Sequence, residues 1–253
     1  MPRNVLLISN STCHGEPYLG HCEAYVKPFF TDLGAHNILF VPFALADHDK
    51  YTATAKRAFE AMGFSLTGLH EAADPKAAVQ AAQGIFIGGG NTFRLLATLQ
   101  RLDVLDDIRE AVLTRSIPYM GTSAGCNVAC PTICTTNDMP IVQPQSFCAL
   151  DLVPFQVNAH FLTDAAHPAG FMGETRSKRL AEFHEENGTH VMALPEGAAL
   201  LVQGDAMTCL GREPVYCLQP GGVSQEFAPG TEITHVLTAA AEAPRPVACS
   251  ADV

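Results

Sequence analysis

The sequence has no tryptophan, few charged residues and no excess of positive charge. Charged side chains make up 16% of its 253 residues, and 15 Lys and Arg against 26 Asp and Glu give a net charge of −11. Nucleic acids and anionic lipid surfaces both attract basic proteins, so neither is expected as a partner. No apolar run approaches the ~20 residues that a membrane-spanning helix needs.

The nine cysteines include no Cys-x-x-Cys pair, which argues against a structural zinc site. The apolar run near the start, residues 5–8, is too short for a signal peptide. Together these features predict reduced thiols, a cytoplasmic location and no bound metal.

Short apolar runs alternate with longer amphipathic stretches over the first 120 residues. This alternation predicts an α/β fold, a single domain with a mostly parallel, doubly wound sheet and helices on both faces. After about residue 190, short runs separated by Gly, Asp and Pro predict antiparallel hairpins toward the C-terminus. We therefore expect a catalytic domain over residues 1–238 and a flexible Ala/Pro-rich tail over 239–253.

Residues 121–125 read Gly-Thr-Ser-Ala-Gly, a G-x-S-x-G pattern between a predicted strand and a predicted helix. That context is the one required for a nucleophile elbow, in which a sharp turn presents the serine hydroxyl. Ser123 is then a candidate nucleophile, and the backbone N–H of Ala124 points to where an oxyanion would form. The alternative is a glycine-bounded turn with no catalytic role.

Three consecutive glycines, residues 88–90, follow another predicted strand and precede a helix. Such a loop could hold a phosphate, but the lysine of a phosphate loop is missing. We favour a second interpretation, in which the Gly89 N–H is the other oxyanion donor. Both turns would lie at the carboxyl ends of parallel strands, where ligands bind in such sheets.

A nucleophilic serine needs a base, and the base needs a carboxylate to orient it. His160 ends an apolar strand and is the favoured base, with His167 as a weaker rival. The sequence offers Asp138 and Glu196 as the acid and does not separate them. Two further carboxylates are less distinctive: Asp151 and Asp164.

Arg176 lies in a segment, residues 173–179, that holds three positive charges at the start of a predicted helix. Positive charge there opposes the helix dipole. An acidic neighbour or a substrate carboxylate would explain it, because arginine binds carboxylates in a bidentate manner. A solvated first turn is the alternative.

In these motifs the chain resembles the peptidase E family, the α-aspartyl dipeptidases. The resemblance runs from residue 6 to about residue 222 and is most specific at 87–93 and 121–125. The segments 129–142, 149–152, 158–161, 173–176 and 194–197 add to it. It implies a sheet like that of flavodoxin and class I glutamine amidotransferases, no cofactor, and dipeptide substrates of the form Asp-Xaa. A homodimer is left open.

The resemblance also implies roles for individual residues. Ser123 would be the nucleophile, His160 the base, and either Asp138 or Glu196 the acid, with a slight preference for Asp138. The oxyanion hole would be formed by two backbone N–H groups, those of Gly89 and Ala124. The candidates for holding the substrate aspartate are Asn91 and Arg176.

The chain departs from the bacterial members of this family at two places beside these motifs. Thr122 stands where they commonly carry tryptophan, and Ala198 and Ala199 replace a polar and aromatic pair. Two other functions therefore stay open: cleavage of β-linked aspartyl polymers, as in the cyanophycin-degrading enzymes, and non-catalytic sensing of aspartate or a dipeptide.

Overall fold

The computed structural model describes residues 3–166 and 172–246. The strands of this part of the chain are β1 Asn4–Ile8, β2 Asn37–Val41, β3 Ser65–Gly68, β4 Gly84–Ile87, β5 Tyr119–Thr122, β6 Gln156–Ala159, β7 Val191–Leu194, β8 Ala198–Gln203, β9 Ala206–Gly211, β10 Val215–Gln219 and β11 Val223–Phe227. Its α-helices are α1 Glu23–Asp32, α2 His48–Met62, α3 Pro75–Ala81, α4 Thr92–Arg101, α5 Leu105–Leu113, α6 Ala124–Ala129, α7 Arg176–Glu186 and α8 Thr234–Glu242.

The main sheet has the strand order β3-β2-β4-β5-β1-β8-β9. Its first five strands are parallel, and β8 and β9 join as an antiparallel hairpin beside β1. The predicted parallel sheet and its C-terminal hairpin are thus confirmed. Since the five parallel strands share one direction, the loops after β1, β4 and β5 meet at the same edge.

A second sheet, in the order β11-β10-β7-β6, was not predicted. β6 and β7 are parallel, whereas β10 is antiparallel to both β7 and β11. A three-residue turn after Leu194 carries the chain from β7 in the second sheet to β8 in the main sheet. The site described below includes a side chain from this turn.

Helices cover both faces of the main sheet, as predicted. On one face α1 and α2 pack on the sheet through an aromatic cluster that includes Phe30, Phe59 and Phe86. On the other face the buried residues of α4, α5, α6 and α8 form one continuous core with the second sheet. In this continuous core β6 packs near α6. His160 directly follows β6, and Ser123 directly precedes α6, so the packing brings the two residues together.

The tail expected from the sequence, residues 239–253, begins inside helix α8. Helix α8 continues to Glu242, Ala240 is buried, and the Thr189 hydroxyl donates a hydrogen bond to the Pro244 carbonyl at 2.8 Å. Residues 247–253 of the expected tail lie outside the described part of the chain.

The described cysteines are mostly free thiols: Cys13, Cys22, Cys126, Cys130, Cys134, Cys209 and Cys217. Cys148 is disulfide-bonded, which the prediction of reduced thiols did not anticipate. Within residues 3–166 and 172–246, no helix has the length and apolar character required to cross a membrane.

Candidate active site

Ser123 lies in a sharp turn between β5 and α6, with φ of 52° and ψ of −109°. Such angles are sparsely populated for a residue with a side chain, and they occur at functional sites. The flanking glycines allow the turn. A Cβ on Gly121 would lie 2.4 Å from the Gly125 carbonyl oxygen, and a Cβ on Gly125 would lie 2.2 Å from the oxygen of Ile87. The G-x-S-x-G pattern is therefore required by close backbone packing, as a nucleophile elbow demands.

His160 is the hydrogen-bond partner of this serine. Its Nε2 lies 2.8 Å from Ser123 Oγ. The residue follows the last residue of β6 and has a positive φ of 55°. Its backbone N–H donates to Ser9 Oγ at 2.9 Å, and the Ser9 hydroxyl donates to the Leu194 carbonyl at 2.8 Å. Ser9, at the end of β1, thus links the ends of β6 and β7.

Glu196 completes the arrangement from the other side of the imidazole ring. Its Oε1 lies 3.0 Å from His160 Nδ1. The Gly197 N–H anchors the Glu196 turn by donating to Asn10 Oδ1 at 2.7 Å. With the carboxylate ionised, Nδ1 carries the proton and Nε2 is free to accept the serine proton. The Glu196 side chain is 63% exposed and that of His160 is 39% exposed, so both are open to solvent.

Asp138, the acid slightly preferred from the family resemblance, does not make this contact. Its Oδ2 accepts hydrogen bonds from the Thr92 N–H at 2.7 Å, the Thr92 hydroxyl at 2.6 Å and the Thr136 hydroxyl at 3.2 Å. Asp138 therefore stabilises the first turn of α4, and the carboxylate that contacts the imidazole is that of Glu196. Asp151 pairs instead with Arg109.

The glycine run lies beside the elbow. A Cβ on Gly89 would lie 3.0 Å from Ser123 Cβ, so the loop passes directly over the nucleophile. A Cβ on Gly88 would lie 2.4 Å from the Tyr51 hydroxyl. Burial raises the pKa of Tyr51, and the hydrogen bond that its hydroxyl accepts from the Tyr18 hydroxyl at 3.4 Å opposes that rise. Ala124 is the first residue of α6, where backbone N–H groups have no partner within the helix.

Asn91 has a structural role at the start of α4. Its Oδ1 accepts from the Arg94 N–H at 3.0 Å, which caps the helix, and its amide donates to the Met139 carbonyl at 2.8 Å. Both ends of the side chain are thus engaged, and Asn91 is not among the residues that line the cavity over Ser123.

Arg176 is the first residue of α7 and forms no ion pair with the residues that the structure describes. The neighbouring positive charges are neutralised differently, since Lys178 and Arg179 both pair with Glu174. Burial lowers the pKa of Arg176, as does the nearby Arg179, while the charge of Asp138 raises it. His167, the rival base, lies outside the described residues.

Ser123 lines a cavity of about 780 Å³. Its walls come from the loop after β1, the first two turns of α2, the glycine run and the catalytic candidates. The residues are Asn10, Ser11, Thr12, Tyr18, Leu45, Asp47, Lys50, Tyr51, Thr54, Gly89, Gly90, Ser123, Asp138, His160 and Glu196.

Sequence reasoning missed the contribution of β1 and α2 to this cavity. The loop at residues 9–12 follows a predicted strand of the parallel sheet. Its position at the ligand-binding edge could therefore have been predicted from the sequence. The contribution of α2 depends on how that helix packs on the sheet, which no local pattern reveals. Over the described residues, no group of three or more His, Cys, Asp or Glu side chains is arranged to hold a metal.

A strained serine on a strand–turn–helix, hydrogen-bonded to a histidine that also contacts a carboxylate, is the arrangement of a serine hydrolase. The family model described as Peptidase family S51 matches residues 5–210. The chain belongs to peptidase family S51.

Named relatives agree with this assignment, and a solved structure has a similar fold. A probable alpha-aspartyl dipeptidase of Drosophila melanogaster is 46% identical over 93% of this chain and 98% of the relative. Peptidase E of Streptomyces coelicolor is 45% identical over 92% of this chain and 95% of the relative. A putative peptidase E from Listeria monocytogenes has a similar fold, with a TM-score of 0.62, 21% identity and coverage of 83% of this chain and 99% of that one.

Proposed function

We propose that this protein is a serine-type dipeptidase that hydrolyses dipeptides with an amino-terminal aspartate, Asp-Xaa. The observation that carries the proposal is the hydrogen-bonded series from Ser123 through His160 to Glu196, at the floor of a cavity. The substrate class is supported by the Drosophila relative, which is named a probable alpha-aspartyl dipeptidase and is 46% identical.

The reaction is acyl transfer in two halves. His160 removes the Ser123 proton as the hydroxyl oxygen attacks the aspartyl carbonyl carbon. The tetrahedral intermediate collapses when His160 gives that proton to the leaving amine, which breaks the peptide bond. A water molecule, deprotonated by His160 in turn, then attacks the acyl-enzyme, and free aspartate leaves as the serine regains its proton. Glu196 keeps the proton on Nδ1 and stabilises the imidazolium that forms in each half.

Two backbone N–H groups stabilise the oxyanion of the tetrahedral intermediates. Gly89 and Ala124 flank Ser123 and are the donors in this proposal. Removing one such donor typically costs about 3 kcal/mol of transition-state stabilisation.

Arg176 holds a carboxylate of the substrate in this proposal. The net charge of −11 repels an acidic dipeptide at long range, so binding depends on local positive groups. We expect Arg176→Ala to raise KM for Asp-Leu by about 10-fold or more, equivalent to roughly 1.4 kcal/mol, because a charge-assisted contact is lost. Steady-state kinetics measure this, and Arg179→Ala on the same helix is the control. An unchanged KM would remove Arg176 from substrate binding.

The test of the function is a hydrolysis panel of Asp-Leu, Asn-Leu and Glu-Leu with a chelator present. We expect rapid cleavage of Asp-Leu and cleavage of the other two that is weaker by at least 10-fold, since each lacks a correctly placed carboxylate. Equal cleavage of all three would contradict the aspartyl preference. No cleavage by a folded protein would contradict the dipeptidase proposal and favour a binding function.

A further inference from the structure

One face of α2 forms a wall of the active-site cavity. Lys50, Tyr51 and Thr54 line the cavity from the first two turns of the helix, and Asp47 lines it from the N-cap position. Lys50 and Tyr51 lie three and four residues after Asp47, and Thr54 lies four and three residues after them, so the four positions share one side of the helix. The proposed mechanism assigns a role to none of them.

Hydrogen bonds hold the backbone of Lys50 in place, whereas its side-chain ammonium has no such contact within the described part of the chain. Its N–H donates to Asp47 Oδ1 at 3.0 Å, and its carbonyl accepts from the Thr54 hydroxyl at 3.1 Å. The Lys50 ammonium has no hydrogen bond or ion pair with residues 3–166 and 172–246. By contrast, Lys56 on the same helix lies 4.0 Å from Glu60.

The cavity is otherwise rich in negative charge. Among the residues that the structure describes, three carboxylates line it, those of Asp47, Asp138 and Glu196, and Lys50 is the one lysine or arginine that does so. A substrate with two carboxylates would meet net repulsion there without a positive group. The positive end of the α2 dipole also lies at this wall and adds to the potential of the ammonium.

We propose that Lys50 binds a carboxylate of the substrate and so contributes to the preference for acidic dipeptides. The inference rests on the proposed function. Asp-Xaa has two carboxylates of the same chemistry, the aspartyl side chain and the C-terminus, and Lys50 and Arg176 supply one positive charge each. Lysine acts here as a point charge on a flexible stem, which suits binding at an open cavity wall.

The test measures binding separately from turnover. Calorimetry on Ser123→Ala gives the Kd of Asp-Leu, Asn-Leu and Asp-Leu amide, with and without Lys50→Met. Met keeps an apolar stem and removes the charge. We expect Lys50→Met to weaken Asp-Leu binding about 10-fold, and Lys50→Arg to retain most of it. Lys56→Met is the control on the same helix and should change nothing.

The two analogues identify the carboxylate that Lys50 binds. If it is the aspartyl side chain, Lys50→Met no longer affects Asn-Leu but still weakens Asp-Leu amide. If it is the C-terminus, the pattern is reversed. An unchanged Kd for Asp-Leu, or equal weakening of all three ligands, overturns the inference. Failure of the proposed function is a separate result, in which the protein with Ser123 intact does not hydrolyse Asp-Leu.

Discussion

Ser123→Ala is expected to abolish Asp-Leu hydrolysis, with a loss in kcat of roughly a millionfold. That is the scale measured when the serine or histidine of a hydrogen-bonded triad is removed from a serine protease. The expectation rests on the 2.8 Å contact between Ser123 Oγ and His160 Nε2, because the hydroxyl that His160 would activate is gone. Stopped assays of free aspartate release measure the loss, and a fluorophosphonate probe should label the unaltered protein at Ser123.

The variant should fold normally, since alanine occupies the same backbone position with a smaller side chain. Matching unfolding midpoints would establish this. Ser224→Ala, on the edge strand β11 of the second sheet, is the control and should keep full activity and labelling. Two results would contradict the assignment: substantial hydrolysis by Ser123→Ala, or probe labelling that persists in that variant.

The parts of the fold that were predicted correctly have strong local signals. β4 is apolar throughout and buried on both faces of the sheet, and it ends at the glycine run. β8 and β9 form a hairpin whose short runs are separated by a Gly-Asp turn. Each signal lies within a few residues and needs no knowledge of the rest of the chain.

The second sheet could not be predicted in the same way. β6 and β7 are parallel neighbours that pair across more than 30 residues, and α7 lies between them in sequence. Each is a short apolar run that could equally have joined the main sheet. The turn that moves the chain from one sheet to the other contains Pro195 and Gly197, which indicate a turn but not its destination.

In the site, too, the features that depend on neighbouring residues could be predicted, and those that depend on packing between distant segments could not. Ser123 was recognised because an elbow is a five-residue feature whose backbone geometry requires glycines. The choice between Asp138 and Glu196 depends on which loop reaches the imidazole, and this follows from packing between sheets. Ser9 was missed for a related reason, since its hydroxyl joins two strands that are more than 150 residues further along the chain.

Glu196→Gln is expected to lower kcat between about 100-fold and 10⁴-fold, and to slow fluorophosphonate labelling of Ser123. Loss of the carboxylate removes the charge that stabilises the imidazolium and lets the ring adopt the wrong tautomer, an effect of about 10⁴ for a buried triad acid. Solvent screens Glu196, which is 63% exposed, so the lower end of the range is included. The free energy of unfolding should change little, because exposed side chains contribute little to stability.

Asp138→Asn is the matched comparison and should give the opposite pattern. The Asp138 carboxylate accepts three hydrogen bonds at the start of α4 and does not contact the His160 ring. We expect the free energy of unfolding to fall by about 1–2 kcal/mol, while Ser123 still reacts with the probe at close to its normal rate. Labelling is the decisive measurement, because it reports activation of the serine independently of how the cavity wall binds a dipeptide. Slow labelling of Asp138→Asn together with normal labelling of Glu196→Gln would reassign the acid to Asp138.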